Sequence, residues 1–154
     1  MKEDAATTTR VFIADDHAIM RSGLAQLIDS NADMETVGTA DDSAGVLRAS
    51  HNQEWDVLVL DLSLPGAGGL EVLQQLKASK PDLPIVVFSM HPENRYALRV
   101  LRAGAAAYIN KGESPLELVA AIRKAAAGGR YITQSVGELL LDSSGNQGPP
   151  HESM

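Results

Sequence analysis

The sequence predicts an α/β fold: a doubly wound, five-stranded parallel sheet with five helices and a C-terminal extension. Three observations carry that expectation. Short apolar runs alternate with segments of helical period, and short loops join them. The run Val57-Leu58-Val59-Leu60 is continuously apolar, which suits a central strand buried on both faces. The chain has 154 residues, 44% hydrophobic and 21% charged, as expected for one soluble domain with a single core.

The elements follow in order. A polar lead over 1–9 is expected to be disordered. Arg10 to Ala14 is short, apolar and β-branched, and Ala18, Ile19, Leu24, Leu27 and Ile28 then recur at helical spacing. Met34 to Ala40 is a weaker strand, and Asp42 to Ser50 a short helix with an acidic start. Asp56 to Leu60 is the central strand. Leu70, Val72, Leu73 and Leu76 mark a helix that stops before Pro81, and Pro84 opens a strand through Phe88. Glu93 to Ala103 is a helix ended by Gly104, and Ala106 to Asn110 is the last strand. Ser114-Pro115-Leu116-Glu117 combines a cap, a first-turn proline and an acidic first turn, opening a helix that ends at Gly128-Gly129. The compact domain spans 10–130, a further helix is expected over 131–141, and 142–154 has the composition of a linker or tail.

Composition excludes several functions. A net charge of −7 gives no uniformly basic surface for nucleic acid. The absence of Cys excludes disulfides, thiolate metal sites and cysteine nucleophiles. The N-terminus has no apolar signal core, and no run approaches the roughly 18 residues that would cross a bilayer, so a cytoplasmic protein without membrane contact is expected.

Four apolar runs end in residues suited to phosphoryl chemistry: Asp15 and Asp16, Asp61, Ser89, and Lys111. In open parallel sheets, ligands sit at the carboxyl ends of the strands. Asp56, five residues before Asp61, falls at the opposite edge, roughly 16 Å away at about 3.3 Å per residue, and should be structural. Clustered carboxylates repel by about 4 kcal/mol per pair at 4 Å with an effective dielectric near 20. A hard divalent cation relieves this, and Mg²⁺ prefers oxygen ligands. Asp15, Asp16 and Asp61, with the backbone carbonyl of Ser63, can supply them. Asp61 is the candidate nucleophile, because carboxylates form acyl phosphates. Lys111 and the Ser89 hydroxyl can meet the phosphoryl oxygens. His17 is expected to be a residue of the first helical turn rather than a metal ligand. Gly66-Ala67-Gly68-Gly69 matches no phosphate-binding loop and is a loop entering a helix.

These residues sit in segments that resemble the receiver domain of bacterial two-component response regulators over about residues 10–128. The segments are Val-Phe-Ile-Ala before Asp15-Asp16-His17, Val-Leu-Val-Leu-Asp61 through Pro65 to Gly69, Val-Val-Phe-Ser89-Met-His, and Tyr108-Ile-Asn-Lys111-Gly. Arg21-Ser22-Gly23-Leu24 and Gly128-Gly129-Arg130-Tyr131-Ile132 are similar to the branch with a C-terminal LuxR-type helix-turn-helix, the NarL/FixJ-like regulators. The resemblance implies a flavodoxin-like sheet order of 2-1-3-4-5. It implies phosphotransfer from a sensor histidine kinase to Asp61 with Mg²⁺ at Asp15, Asp16 and Asp61, self-catalysed transfer and autodephosphorylation rather than a stand-alone enzyme, and a phosphorylation-dependent homodimer. It also implies that Ser89 and Tyr108 change position on phosphorylation, remodelling the face of the fourth helix, fifth strand and fifth helix. DNA would be met only through an output domain, which this sequence does not contain. Met90 stands where many receivers carry a small residue, and Ser63 and His91 are placed to tune phosphate lifetime.

Three rival readings stay open on sequence alone. A haloacid-dehalogenase-like phosphatase also uses a strand-end Asp and Mg²⁺, but expects a second Asp where Ser63 stands. A flavodoxin-like cofactor module would want a hydroxyl-rich first loop in place of Asp15-Asp16-His17. An unphosphorylated pseudo-receiver would not need the intact acidic pair, Asp61 and Lys111.

Overall fold

The computed structural model describes residues 8–90, 94–112 and 115–147. The predicted alternation becomes β1 (Thr9–Ala14), α1 (Ala18–Asp29), β2 (Met34–Ala40), α2 (Ser43–Asn52), β3 (Val57–Asp61) and α3 (Gly69–Ser79). It continues as β4 (Ile85–Ser89), α4 (Asn94–Arg102), β5 (Ala107–Asn110), α5 (Pro115–Ala126) and α6 (Gln134–Gln147). The strands form one sheet in the order β2-β1-β3-β4-β5, and every pair is parallel. Strand order reverses about β1, so the β1 and β3 ends flank the point where an open α/β sheet binds ligands.

The period-two alternation of the strands sorts the core into two layers. Val11, Ile13, Val57, Val59, Val86, Phe88, Ala107 and Ile109 face α1 and α5, where Leu24, Ile28, Leu118 and Ile122 close the layer. Phe12, Leu58, Leu60, Ile85, Val87 and Tyr108 face α2, α3 and α4, meeting Val46, Leu73, Leu76 and Leu101. Ile13, Ile28, Leu58, Leu60, Leu73, Ile109 and Ile122 are all but sealed from water. Each such side chain contributes roughly 1.5–3 kcal/mol of burial, which is what holds the helices on the sheet.

Local signals explain most element ends. Asp42 is the N-cap of α2, its carboxylate accepting from the Gly45 amide, so the acidic start of that helix is a cap rather than a first-turn charge. α4 ends where Gly104 takes φ +110°, a left-handed conformation open to glycine. Asp56 lies at the N-terminal edge as expected and pairs with Arg10 at 3.1 Å.

The C-terminal extension departs from its sequence reading. After α5, Tyr131 bridges to Ala107 on the β5 edge, and Arg130 donates to the Leu101 carbonyl at 2.7 Å. The last helix starts at Gln134 rather than 131 and runs to Gln147, into the segment read as linker. Val136 and Leu140, one helical turn apart, pack into the α3 and α4 layer. An anchored turn offsets the nucleation cost, and propagation then needs no apolar period. Thr9 joins β1. The rest of the lead (1–7), the Glu93 and Ser114 helix starts, His91, and the tail beyond 147 lie outside the described residues.

Candidate functional site

Ala14 and Leu60 are in register across β1 and β3, so the chain delivers Asp15 and Asp61 side by side at the carboxyl edge. Both continue the alternation of the α1 and α5 face, and both are 1% exposed. Lys111 follows β5 with the same parity. Its side chain is 3% exposed, and its Nζ lies 3.0 Å from Asp15 Oδ2 and 3.3 Å from Asp61 Oδ2. The Phe88 ring sits beside the same ammonium, 5.5 Å from its centroid. A buried cation between two buried anions offsets part of their desolvation cost.

The remaining carboxylate oxygens are held from within their own loops. Asp61 Oδ1 accepts from the amide and the hydroxyl of Ser63, both at 3.0 Å. Asp15 Oδ1 accepts from the His17 amide at 2.8 Å, and Arg21 donates to the Asp15 carbonyl at 2.8 Å, tying α1 to the strand end. Asp16 Oδ1 is different. His17 Nδ1 lies 3.1 Å away but off the hydrogen-bond direction, so this buried oxygen has no hydrogen-bond partner among the described residues.

With His17 neutral, three carboxylates and one ammonium leave a net charge of −2. Ligand atoms of Asp15, Asp16, His17 and Asp61 all lie within 4.8 Å of one another. An orphaned buried oxygen inside a cluster with this excess charge is the donor set that a hard divalent cation fits. The residues form an acidic cluster able to hold a metal ion.

The structure therefore brings together Asp15, Asp16, Asp61, Ser63 and Lys111. Ser89 ends β4 fully buried, in register with Asn110, and its carbonyl accepts from the Lys111 amide at 2.7 Å. It shares the parity of Ile85, Val87 and Tyr108 toward α3 and α4, opposite to that of Asp61 and Lys111. Tyr108 is buried in that layer with Leu101 and Val136. Met90 is 65% exposed. The tuning role read for His91 lies outside the described residues.

His17 is the N-cap residue of α1 rather than a residue of its first turn, and its Nδ1 lies 3.3 Å from Asp15 Oδ1 and 3.1 Å from Asp16 Oδ1. Sequence spacing placed it next to both carboxylates without specifying that ring orientation. An open groove of about 790 Å³ lies at the opposite sheet edge, lined by Thr9, Trp55, Asp56, Lys80 and Pro84, and contains none of the clustered carboxylates.

Comparison with known proteins agrees with this geometry. Residues 11–123 match the family described as Response regulator receiver domain. The response regulator GacA of Pseudomonas aeruginosa is 35% identical over 131 residues, covering 85% of this chain and 61% of that protein. The response regulator UvrY of Escherichia coli is 34% identical, covering 84% and 60%. The chain thus spans about three fifths of the length of these curated relatives. Among solved structures, a LuxR-family two-component response regulator from Aurantimonas sp. SI85-9A1 superposes with a TM-score of 0.84 at 32% identity, covering 88% of this chain and 97% of that one. The isolated receiver of RcsB from Salmonella enterica serovar Typhimurium, with the phosphomimetic BeF3⁻, gives a TM-score of 0.80 at 27% identity, covering 86% and 98%.

Proposed function

This chain belongs to the response regulator receiver family, and on that premise we propose that Asp61 accepts a phosphoryl group from a sensor histidine kinase in a Mg²⁺-dependent transfer. The observation that carries the reading is the partly buried cluster with its excess of −2 and its orphaned Asp16 oxygen. Asp15, Asp16, Asp61 and the Ser63 carbonyl would hold the Mg²⁺, which when bound would neutralise charge on the transferring phosphoryl oxygens.

The chain's own groups do the rest. Ser63 orients the Asp61 carboxylate through Oδ1 at the carboxyl end of β3. A carboxylate oxygen attacks phosphorus, the bond from phosphorus to the donor breaks, and the donor leaves with the electron pair. Lys111 is already between Asp15 and Asp61 and meets charge that spreads over the phosphoryl oxygens. Ser89 gains a phosphoryl acceptor, and Tyr108, on the same face of the sheet, carries the change toward α4. Ser63, Met90 and His91 tune access and phosphate lifetime, and autodephosphorylation occurs at the same site.

The phosphorylated form assembles as a homodimer and controls transcription through an output domain. DNA recognition is assigned to that domain, because this chain carries a charge of −7. Incubation with Mg²⁺ and a small acyl phosphate, followed by intact mass and sizing, tests the reading. Wild type should gain one phosphoryl group and change its assembly, while Asp61→Asn and a chelator-treated sample gain none. A wild type that stays unmodified ends the proposal.

A further inference from the structure

We propose that Ser43, the first residue of α2, is a positioning residue for the acceptor loop, and that it sets the divalent-cation affinity of the Asp61 site. The inference rests on the reading of Asp61 as a phosphoacceptor with an oxygen-bound Mg²⁺. It concerns a residue far away in sequence and outside the carboxylate cluster.

The segment from Leu62 to Gly68 joins β3 to α3 and carries Ser63. Its internal bonds are few: the Leu64 amide donates to the Asp61 carbonyl at 3.3 Å, and the Gly69 amide to the Leu62 carbonyl at 3.0 Å. Ser43 adds two from outside. Its amide donates to the Pro65 carbonyl at 2.9 Å, and its hydroxyl oxygen accepts from the Ala67 amide at 2.8 Å, across 24 residues of sequence.

A serine at a helix start is ordinarily explained as a cap. That explanation is already taken here, because Asp42 is the N-cap and accepts from Gly45. Ser43 is buried, at 5% exposure, and its oxygen faces the loop.

The loop is shaped to that oxygen. Gly66 has φ +100°, and a Cβ there would collide with Ser43 Oγ, so loop backbone and hydroxyl are in direct contact. At the other end, a Cβ on Gly69 would meet the Leu62 Cα at 2.5 Å and the Asp61 carbonyl at 2.6 Å. Leu64 is sunk in the core at 2% exposure. Packed at both ends, the loop passes a displacement at Ala67 to the peptides of Leu62 and Ser63. Ser63 holds Asp61 Oδ1 and offers its carbonyl to the cation, so Ser43 acts on the metal at one remove.

The test is Ser43→Ala in the whole chain, with Mg²⁺ affinity by calorimetry, amide hydrogen exchange at Ala67 and Ser63, thermal unfolding, and phosphorylation by acyl phosphate across a Mg²⁺ series. Mg²⁺ affinity should fall about 10-fold, as for other residues that orient metal ligands. The Ser63 amide should exchange faster, and saturating Mg²⁺ should restore the phosphorylation rate. A purely structural role would lower the unfolding temperature without moving Mg²⁺ affinity or the Ser63 amide, and that result overturns the proposal. Should Ser43→Ala not fold, Gly66→Ala disturbs the same contact from the loop side and is judged by the same readouts. A wild type that binds no Mg²⁺ defeats the phosphoacceptor reading as well. One that binds Mg²⁺ and is phosphorylated, beside a variant of unchanged affinity, defeats only the role of Ser43.

Discussion

Asp16 and Lys111 act in opposite senses on the same charge excess. Asp16 adds an anion whose buried Oδ1 has no hydrogen-bond partner among the described residues, whereas Lys111 supplies the cation between Asp15 and Asp61. Asp16→Asn should therefore stabilise the metal-free protein by about 1 kcal/mol or more, a rise of roughly 2–4 °C in the unfolding midpoint for a chain of this size. It should also abolish the increment that Mg²⁺ adds. Lys111→Ala should do the reverse, costing about 3–5 kcal/mol without metal and regaining part of it with Mg²⁺. Thermal unfolding of both variants with and without Mg²⁺ checks the pair, and the same direction of change in both would contradict the electrostatic account. The carboxylates and Lys111 were legible in sequence because a strand end fixes where they emerge. The His17 ring orientation and the Ser43 contact were not, since spacing specifies neither a rotamer nor a hydrogen bond between distant loops.

Among the elements, α6 and the ion pairs at the strand edges extend what the central strands begin. Val136 is 6% exposed within the α4 layer, so Val136→Ala should cost about 1–2 kcal/mol in denaturant unfolding. A change near zero would mean that α6 is not docked in solution. Arg10 joins the β1 start to Asp56 before β3, and Arg123 of α5 joins Asp33 before β2. In each pair the arginine hydrogen bond holds the carboxyl below its ordinary range. The unfolded chain then binds these protons more readily than the folded one. The stabilisation is accordingly full above the ordinary Asp range and is lost as pH falls through the depressed values. An Arg10→Met, Arg123→Met variant should be modestly less stable than wild type at neutral pH, with the gap closing as pH falls below the ordinary Asp range. Exposure and salt keep that gap small. The β3 run was legible because burial on both faces leaves a continuous apolar signature, as in Val57 to Leu60. The full length of α6 was not, because Val136 and Leu140 anchor it through tertiary packing and the residues after Leu141 carry no pattern of their own.

For the whole molecule, charge and topology meet at one edge of the sheet. The parallel order brings the β1, β3 and β5 ends together, and with them part of a net charge of −7 that folding concentrates in a buried space. The unfolded chain spreads those carboxylates through water and pays nothing for them. A cation that binds only the folded arrangement therefore stabilises it by mass action, by about 2.7 kcal/mol at a hundred times the dissociation constant. For 154 residues this corresponds to a rise of roughly 5–10 °C in the unfolding midpoint. Screening of the net charge is the competing explanation, and it acts with any salt. The two separate cleanly if Mg²⁺ is compared with sodium chloride at equal ionic strength, in wild type and in Asp61→Asn. A saturable rise with Mg²⁺ alone, reduced in Asp61→Asn, is the expected outcome. Equal shifts with both salts would show that the edge holds no specific cation site, and the proposed phosphotransfer would lose its metal.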